Sequence, residues 1–116
     1  MVDAWHRNLG RPDEVREYPR SRTEIVRQGE LRVERSTFQP GWRWADHVSP
    51  CVAAPICEVP HTGYLVSGRL GILMGSGEEL ELSAGDVFRI AAGHDTWTVG
   101  DEPCVPVEFI FTTKEK

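Results

Sequence analysis

Turn residues punctuate this chain at intervals of about ten positions from Thr23 onward, and short apolar or alternating runs fill the spaces between them. Ser67-Gly68 and the triplet at 75–77 supply the positive φ angles that tight hairpins need. The apolar residues of this region lack helical spacing. Such punctuation is typical of sandwiches and barrels, so we predict an all-β fold.

Nine segments have the length and pattern of β-strands. They cover residues 23–26, 31–38, 42–47, 61–66, 69–74, 78–82, 86–90, 96–99 and 105–112. Residues 71–74 and 109–111 are apolar on both faces, whereas a strand with one wet face alternates. The outer side of these strands must be covered by the second sheet, the N-terminal segment or a second subunit, and we expect a homodimer.

The first 22 residues differ from the rest of the chain. They are polar, and Gly10, Pro12 and Pro19 interrupt any periodicity. We predict an N-terminal arm over residues 1–22, with at most a short helix near residues 13–18, followed by one barrel domain. A chain of 116 residues with 40% apolar content can build one core, so no second domain is expected.

Charge and hydropathy exclude two classes of partner. The chain has 13 basic and 18 acidic residues and a net charge of −5, which offers no basic field for a phosphate backbone, so we expect no nucleic-acid partner. No apolar run approaches the roughly 20 residues that cross a bilayer, so we expect no membrane partner. The first residues lack the apolar core of a signal peptide, and the sequence therefore predicts a cytoplasmic protein.

Cysteine usage agrees with that location. The three cysteines, Cys51, Cys57 and Cys104, form an odd set without an export signal, which favours reduced thiols over a disulfide framework. A Cys51–Cys57 bridge is the alternative, although the spacing between them specifies neither a bridge nor a zinc knuckle.

Residues 41–68 follow the outline of a known motif. Gly41 is followed by five residues and His47 and then, after a longer insertion, by His61, six residues and Gly68. This outline resembles G-x5-H-x-H-x3,4-E-x6-G, the first motif of the cupin superfamily. His61 occupies the position of the glutamate in that motif.

The second histidine of the first motif has two alternative counterparts here. Ser49 stands there when the pattern is counted forward from His47. Cys57 stands there when the pattern is counted backwards from His61. The forward count leaves a residue that is a poor metal ligand at this position, and the backward count places a thiol there.

The second cupin motif, G-x5-P-x-G-x2-H-x3-N, resembles the segment that begins at Gly85. Five residues later Ala91 stands in place of the proline, and Gly93 then matches the next glycine. Thr96 occupies the histidine position, while His94 lies two residues earlier in what we interpret as a turn. The resemblance implies a cupin-type jelly-roll barrel with its site inside, where the strands that carry the two motifs face each other.

The resemblance also implies a site that binds a divalent metal ion. In a β-strand His61, Gly63 and Leu65 share one face, and by resemblance that face is the interior. The candidate metal ligands are His47, Cys57, His61 and His94. This mixed set favours zinc, while iron, nickel or manganese would fit better if a carboxylate such as Asp46 or Glu58 joined it.

Five aromatic residues lie near the motifs and could bind a flat organic ligand or simply fill the core. They are Trp42, Trp44, Tyr64, Phe88 and Trp97. Trp42 and Trp44 would share one strand face if residues 42–47 formed a strand. In a metal-free variant of the site, His61 or His94 would act as the catalytic general base.

Two functions remain open from the sequence. The first, which we favour, is a metal-dependent enzyme acting on a small organic molecule, because single-domain cupins include oxygenases, isomerases, decarboxylases and cyclases. The second is a non-catalytic binding or sensing module, which the departures from both motifs favour. Convergence of three or more of the candidate ligands in one cavity would support the enzyme.

Overall fold

A computed structural model describes residues 3–111 of the chain. Over that range it contains nine strands and two one-turn helices, whose bounds are β1 (Glu14–Tyr18), β2 (Ser21–Gln28), β3 (Leu31–Phe38), α1 (Trp44–His47), α2 (Ser49–Val52), β4 (His61–Ser67), β5 (Arg69–Met74), β6 (Glu79–Ser83), β7 (Val87–Ile90), β8 (His94–Thr98) and β9 (Val105–Phe111). No helix among these residues is long and apolar enough to cross a membrane.

The strands form two antiparallel sheets. One has six strands in the order β1-β2-β3-β9-β4-β7, and the other has three in the order β6-β5-β8. Side chains from both sheets meet in one core, where Leu65 of the larger sheet and Ile72 of the smaller one are fully buried. The predicted all-β jelly-roll architecture is confirmed.

Most predicted strand bounds agree closely with the structure. The bounds of β3 and β5 are as predicted, and the other matched strands differ at one or both ends. Position 112, the predicted last residue of β9, lies outside the described residues.

The prediction of a strand over residues 42–47 is wrong, because part of this segment forms α1. The carboxylate of Asp95 accepts hydrogen bonds from the Ala45 backbone N–H at 3.0 Å and from Arg43 Nε at 2.7 Å. A carboxylate at the start of a helix satisfies N–H groups that have no partner within the helix. This partner lies fifty residues away in sequence, so local patterning could not reveal it.

The prediction of at most a short helix near residues 13–18 is also wrong. Residues 14–18 form β1, which pairs with β2 along its whole length. Ion pairs hold the two strands together, among them Arg27 Nη2 to Glu14 Oε1 at 2.6 Å, and Asp13 accepts a hydrogen bond from the Arg27 N–H. Apart from Tyr18, which packs against the core, the residues of β1 are charged or exposed, so its sequence shows little hydrophobic alternation.

Alternation along β4 determines which of its residues line the interior. Gly63 and Leu65 are buried and His61 is half-buried, whereas Thr62, Tyr64 and Val66 are exposed. The predicted inward face of β4 is therefore confirmed. A side chain at Gly63 would place its Cβ 2.1 Å from the Val107 carbonyl oxygen, so the close approach of β4 to β9 requires glycine there.

Candidate metal centre

Three potential metal ligands converge in the barrel interior. Cys57 precedes β4, His61 begins β4 and His94 begins β8. One nitrogen or sulfur atom from each lies within 4.8 Å of the other two. Backbone hydrogen bonds fix Cys57 beside His94, since each residue donates its N–H to the carbonyl of the other, at 3.0 and 3.1 Å. The loop before β4 is thereby held against the start of β8.

Both imidazoles are oriented by a partner on their Nδ1 atom. His61 Nδ1 lies 2.5 Å from Glu108 Oε1, and His94 Nδ1 lies 2.7 Å from the Ala91 carbonyl oxygen. Both partners are acceptors, so each Nδ1 carries a proton and a metal ion would bind at Nε2, displacing the second proton of His61. His61 Nε2 then lies 3.7 Å from Cys57 Sγ. Histidines that bind a metal ion through one ring nitrogen commonly donate a hydrogen bond from the other, as Nδ1 does here.

The distances and donor types fit zinc. Tetrahedral Zn²⁺ with bonds of about 2.3 Å to sulfur and about 2.0 Å to nitrogen places these two atoms about 3.5 Å apart. The Cys57–His61 separation is already near that value, and a small side-chain movement of His94 would complete the set. His94 is 1% exposed and Cys57 is 6% exposed, whereas the side chain of His61 is 25% exposed, so the cluster is shielded from bulk water except at His61.

The thiol and the imidazole perturb each other. Burial alone would raise the pKa of Cys57, but its contacts with His61 and His94 outweigh burial and lower the pKa to about 6. Burial alone would lower the pKa of His61, but Cys57 and Glu108 outweigh it and raise the pKa to about 10. The thiolate form of Cys57, which is the form that binds metal ions, is therefore favoured.

A second carboxyl group accompanies Glu108 on the inner face of the sheet. Glu34 is its cross-strand neighbour in the β3–β9 register, and Arg32 Nε lies 2.8 Å from Glu34 Oε2. Burial raises the pKa of Glu34 more than the Arg32 guanidinium lowers it. Sequence reasoning missed both glutamates, although a charged residue within the apolar run of β9 was a usable signal.

The remaining predicted ligand, His47, does not join the cluster. It lies in α1, where its Nδ1 accepts a hydrogen bond of 3.0 Å from the Arg43 backbone N–H. Asp46 and Glu58, the two carboxylates considered as further ligands, are not members of the cluster either. The backward count of the first motif therefore leads to Cys57, the residue that joins the cluster.

His94 lies in a strand rather than in an exposed turn, which corrects the prediction made for it. His94, Thr96 and Thr98 are all buried on the inner face of β8. Since residues i and i+2 of a strand share a face, a shift of two positions from the motif's histidine keeps the imidazole inside the barrel.

The five aromatic residues near the motifs are divided between the core and the outer surface, and core packing, the alternative to a ligand wall, holds for Trp42 and Phe88. Trp42 is buried in the core and stacks on Phe38 with ring centroids 3.8 Å apart, and Phe88 is buried in the same core. Trp44 packs against that core from α1, so the two tryptophans do not share a strand face. Tyr64 is exposed on the outer side of β4.

Trp97 also lies outside the barrel interior. Its neighbours Thr96 and Thr98 are the buried residues of β8, and its own ring lies beneath the Arg43 guanidinium, 4.7 Å from ring centroid to Cζ. A Cβ on Gly71 would approach this ring within 2.2 Å, so the indole covers that glycine. This contact covers the outer side of the apolar run at residues 71–74 at Gly71.

The other two cysteines are separate from the cluster. All three cysteines are free thiols, so the alternative of a Cys51–Cys57 bridge is not realised. Cys51 is exposed, and Cys104 is fully buried in the core. Burial raises the pKa of Cys104 to about 12, which makes this thiol inert.

Two shallow depressions of about 370 Å³ each lie on the smaller sheet and its adjoining turns. Gly68, Arg69 and Asp101 contribute to one, and Glu79, Leu80 and Trp97 contribute to the other. Neither includes a residue of the Cys57/His61/His94 cluster.

Comparison with known proteins supports the fold. No family model matches the sequence, and no curated protein matches it. Among solved structures, KdgF from Halomonas sp. is 16% identical with a TM-score of 0.63, over 98% of this chain and 97% of that chain.

Two other solved structures are similar. The oxalate decarboxylase of Lactobacillus farciminis is 19% identical with a TM-score of 0.61, over 89% of this chain and 32% of that chain. A sugar phosphate isomerase of the cupin superfamily from Silicibacter pomeroyi is 15% identical with a TM-score of 0.60, over 82% of this chain and 61% of that chain. The jelly-roll architecture and these neighbours together show that the chain has the fold of the cupin superfamily.

Proposed function

We propose that this protein is a zinc-binding cupin that acts on a small organic molecule inside its barrel. The observation that carries the proposal is the convergence of Cys57, His61 and His94, with both imidazoles turned by their Nδ1 partners so that Nε2 is available. Three of the four candidate ligands meet, which supports a metal site over a purely structural barrel, although neither surface depression opens onto them.

The donor set favours zinc over harder ions. A thiolate with two imidazoles suits Zn²⁺, whereas manganese prefers carboxylate and water oxygens. Within residues 3–111 the cluster includes no carboxylate. Iron and nickel remain alternatives that direct metal analysis separates from zinc.

The number of ligands favours a catalytic site over a structural one. Structural zinc sites in proteins almost always have four protein ligands, whereas catalytic sites have three and keep one position for water or substrate. When bound, zinc would supply Lewis acidity that polarises a carbonyl group or a water molecule.

The protein's own residues would orient the ligands and handle protons. Glu108 keeps the proton on Nδ1 of His61, and the Ala91 carbonyl does the same for His94. Glu34 is the neighbouring group suited to proton transfer, because burial raises its pKa above that of an ordinary glutamate. The names of the structural neighbours, which include a decarboxylase and an isomerase, agree with small-molecule chemistry but do not select a reaction.

A non-catalytic binding or sensing module is the second candidate. The burial of His94 and Cys57 favours it, because a substrate needs a path to the metal ion. In that case the metal ion would have a structural role, holding the loop before β4 against β8, and would take no part in a chemical reaction.

Elemental analysis of protein purified without an affinity tag or chelator tests the metal site. We expect about one zinc ion per chain in the wild type, and loss of the zinc in Cys57→Ser and His61→Ala. Cys51→Ser and His47→Ala are the matched controls, because they remove the same chemical groups outside the cluster, and they should retain the zinc. A wild type without metal, or a Cys57→Ser variant that keeps it, would contradict the proposal.

Cobalt substitution distinguishes the two candidate functions. Protein loaded with Co²⁺ should show thiolate-to-metal absorption that Cys57→Ser lacks. Small anions such as azide should shift the ligand-field bands if a coordination position is open, as a catalytic site requires. Unchanged bands at high azide concentration would favour the non-catalytic module.

A further inference from the structure

A row of exposed apolar side chains lies on the outer side of the six-stranded sheet. We call it the outer apolar face and define it as Tyr64, Val66, Val87, Phe109 and Phe111. Their exposed fractions are 43%, 48%, 80%, 44% and 73%. Each belongs to β4, β7 or β9, which are neighbours in the sheet.

The strand register places these residues on one surface. Tyr64 pairs with Val87 on one side and with Val107 on the other. The alternate residues of the same strands, among them Leu65 and Glu108, are buried on the opposite face. Since side chains alternate between the two faces of a sheet, the five residues point away from the barrel interior.

The outer apolar face is near the upper end of the largest apolar patch that a monomer exposes, about 300–600 Å², and patches of that size often have a binding role. A fully accessible aromatic side chain presents about 150–250 Å², so the exposed parts of the three aromatic residues and two valines amount to roughly 500 Å². Two such faces, together with the half-buried Val33 and Val107 beside them, approach the roughly 1,200 Å² of a small stable interface.

Charges on the same side of the sheet argue for a partner with a matching neutral surface. Glu24 accepts hydrogen bonds from Arg22 Nε at 2.7 Å and Arg35 Nε at 2.9 Å, and Arg22 also contacts Glu17. These charges neutralise one another within the chain. They therefore offer little attraction for a strongly acidic or basic partner. Arg89, exposed beside Val87 on the edge strand β7, adds one positive charge at the border of the face, so the apolar centre of two identical faces can meet while these charges stay at the rim.

We propose that the outer apolar face is the interface of a two-fold symmetric homodimer. A two-fold interface uses the same patch on both subunits, so an apolar patch that is nearly neutral is complementary to itself. Aromatic side chains near the centre of such a patch, here Tyr64 and Phe109, provide most of the binding energy. The dimer does not depend on the metal site, which lies on the other side of the same sheet.

Sedimentation velocity over a range of protein concentrations tests this interface. The wild type should sediment as a dimer of twice the 13.1 kDa chain mass. Val87→Arg should raise the dimer dissociation constant at least about tenfold, because it places two charges in the apolar interface. Val87 is 80% exposed within the chain, so this substitution should leave the fold of each subunit intact. Far-UV circular dichroism verifies that.

Leu80→Arg is the matched control, because Leu80 is 42% exposed on β6 of the smaller sheet. This variant should remain dimeric, and zinc content should be unchanged in both variants. A monomeric wild type, or a dimer that Val87→Arg does not weaken, would overturn the proposal. A protein that is dimeric but binds no metal would contradict the proposed function and leave this interface standing.

Discussion

The two faces of the six-stranded sheet reverse the usual distribution of side chains near β4 and β9. On the inner face His61 and Glu108 form a buried polar contact, while on the outer face Tyr64 and Phe109 are apolar and exposed. A fold that needed only stability would place these groups the other way round. The reversal is what the proposed metal site on the inner face and the proposed dimer interface on the outer face would each require.

The contrast can be tested in β4, where two adjacent residues differ strongly in burial. Leu65 is fully buried and Val66 is 48% exposed. We expect Leu65→Ala to lower the free energy of unfolding by about 2–5 kcal/mol, because it opens a cavity in the core. Val66→Ala should change it by less than about 1 kcal/mol.

Urea denaturation of both variants, made in the Val87→Arg background, compares the two faces in one assembly state. If Leu65→Ala and Val66→Ala lowered the free energy of unfolding equally, the inner face would not be more tightly packed than the exposed outer face.

Metal removal should have the next largest effect on the stability of the folded chain. This effect should depend on the residues of the Cys57/His61/His94 cluster on the inner face. With free zinc at a hundredfold excess over its dissociation constant, binding stabilises the folded chain by about 2.7 kcal/mol. We therefore expect a chelator to lower the melting temperature of the wild type and of His47→Ala but not of His94→Ala. Thermal unfolding with and without chelator measures this. A wild-type melting temperature that the chelator leaves unchanged would count against the metal site.

Glu108→Gln should weaken zinc binding by about 10- to 100-fold while leaving the ligands in place. The carboxylate strengthens the donor at His61 Nε2 through Nδ1, and a neutral amide does so less well. Competition with a colorimetric chelator gives the affinity. Glu81→Gln, an exposed change on β6, is the control and should have no effect. Equal affinity in both variants would show that Glu108 does not act through His61.

The smallest expected effect concerns Glu34 and pH. Burial raises its pKa in the folded chain, so the stability that its protonated form contributes is fully present below the unfolded pKa of about 4.3 and is lost as the pH rises through the folded pKa. Glu34→Gln has no such loss. The stability of the variant relative to the wild type should therefore increase from pH 4 to pH 8.

Urea denaturation at both pH values, with chelator present so that zinc does not contribute, measures that difference. Glu79→Gln, on an exposed position of β6, should show no comparable trend. A relative stability of Glu34→Gln that falls with pH would mean that Arg32 stabilises the Glu34 carboxylate more than burial penalises it.

The sequence was sufficient to predict the fold because turn residues and alternation are local signals. The exceptions were segments stabilised by distant or ionic partners. β1 depends on ion pairs with β2, and α1 depends on Asp95, which follows it by half the chain. Neither contact leaves a periodic pattern in the residues that it stabilises.

The candidate site was predictable in part. Motif spacing and strand alternation identified His61 and placed it inside, and counting backwards from it identified Cys57. His94 was named among the candidate ligands but assigned to a turn because Gly93 precedes it, so its place in β8 was not predicted. The roles of Glu108 and Glu34 depend on how β3 and β9 pair, which no local pattern specifies.

The position of the cluster in the chain has a consequence for folding kinetics. Its three members come from a loop, from a strand of the larger sheet and from a strand of the smaller sheet. If zinc binds as proposed, it would bind with full affinity only after the two sheets have docked, and it would then link them. Metal uptake during refolding should therefore be a late step whose rate follows closure of the barrel and not the encounter with the ion.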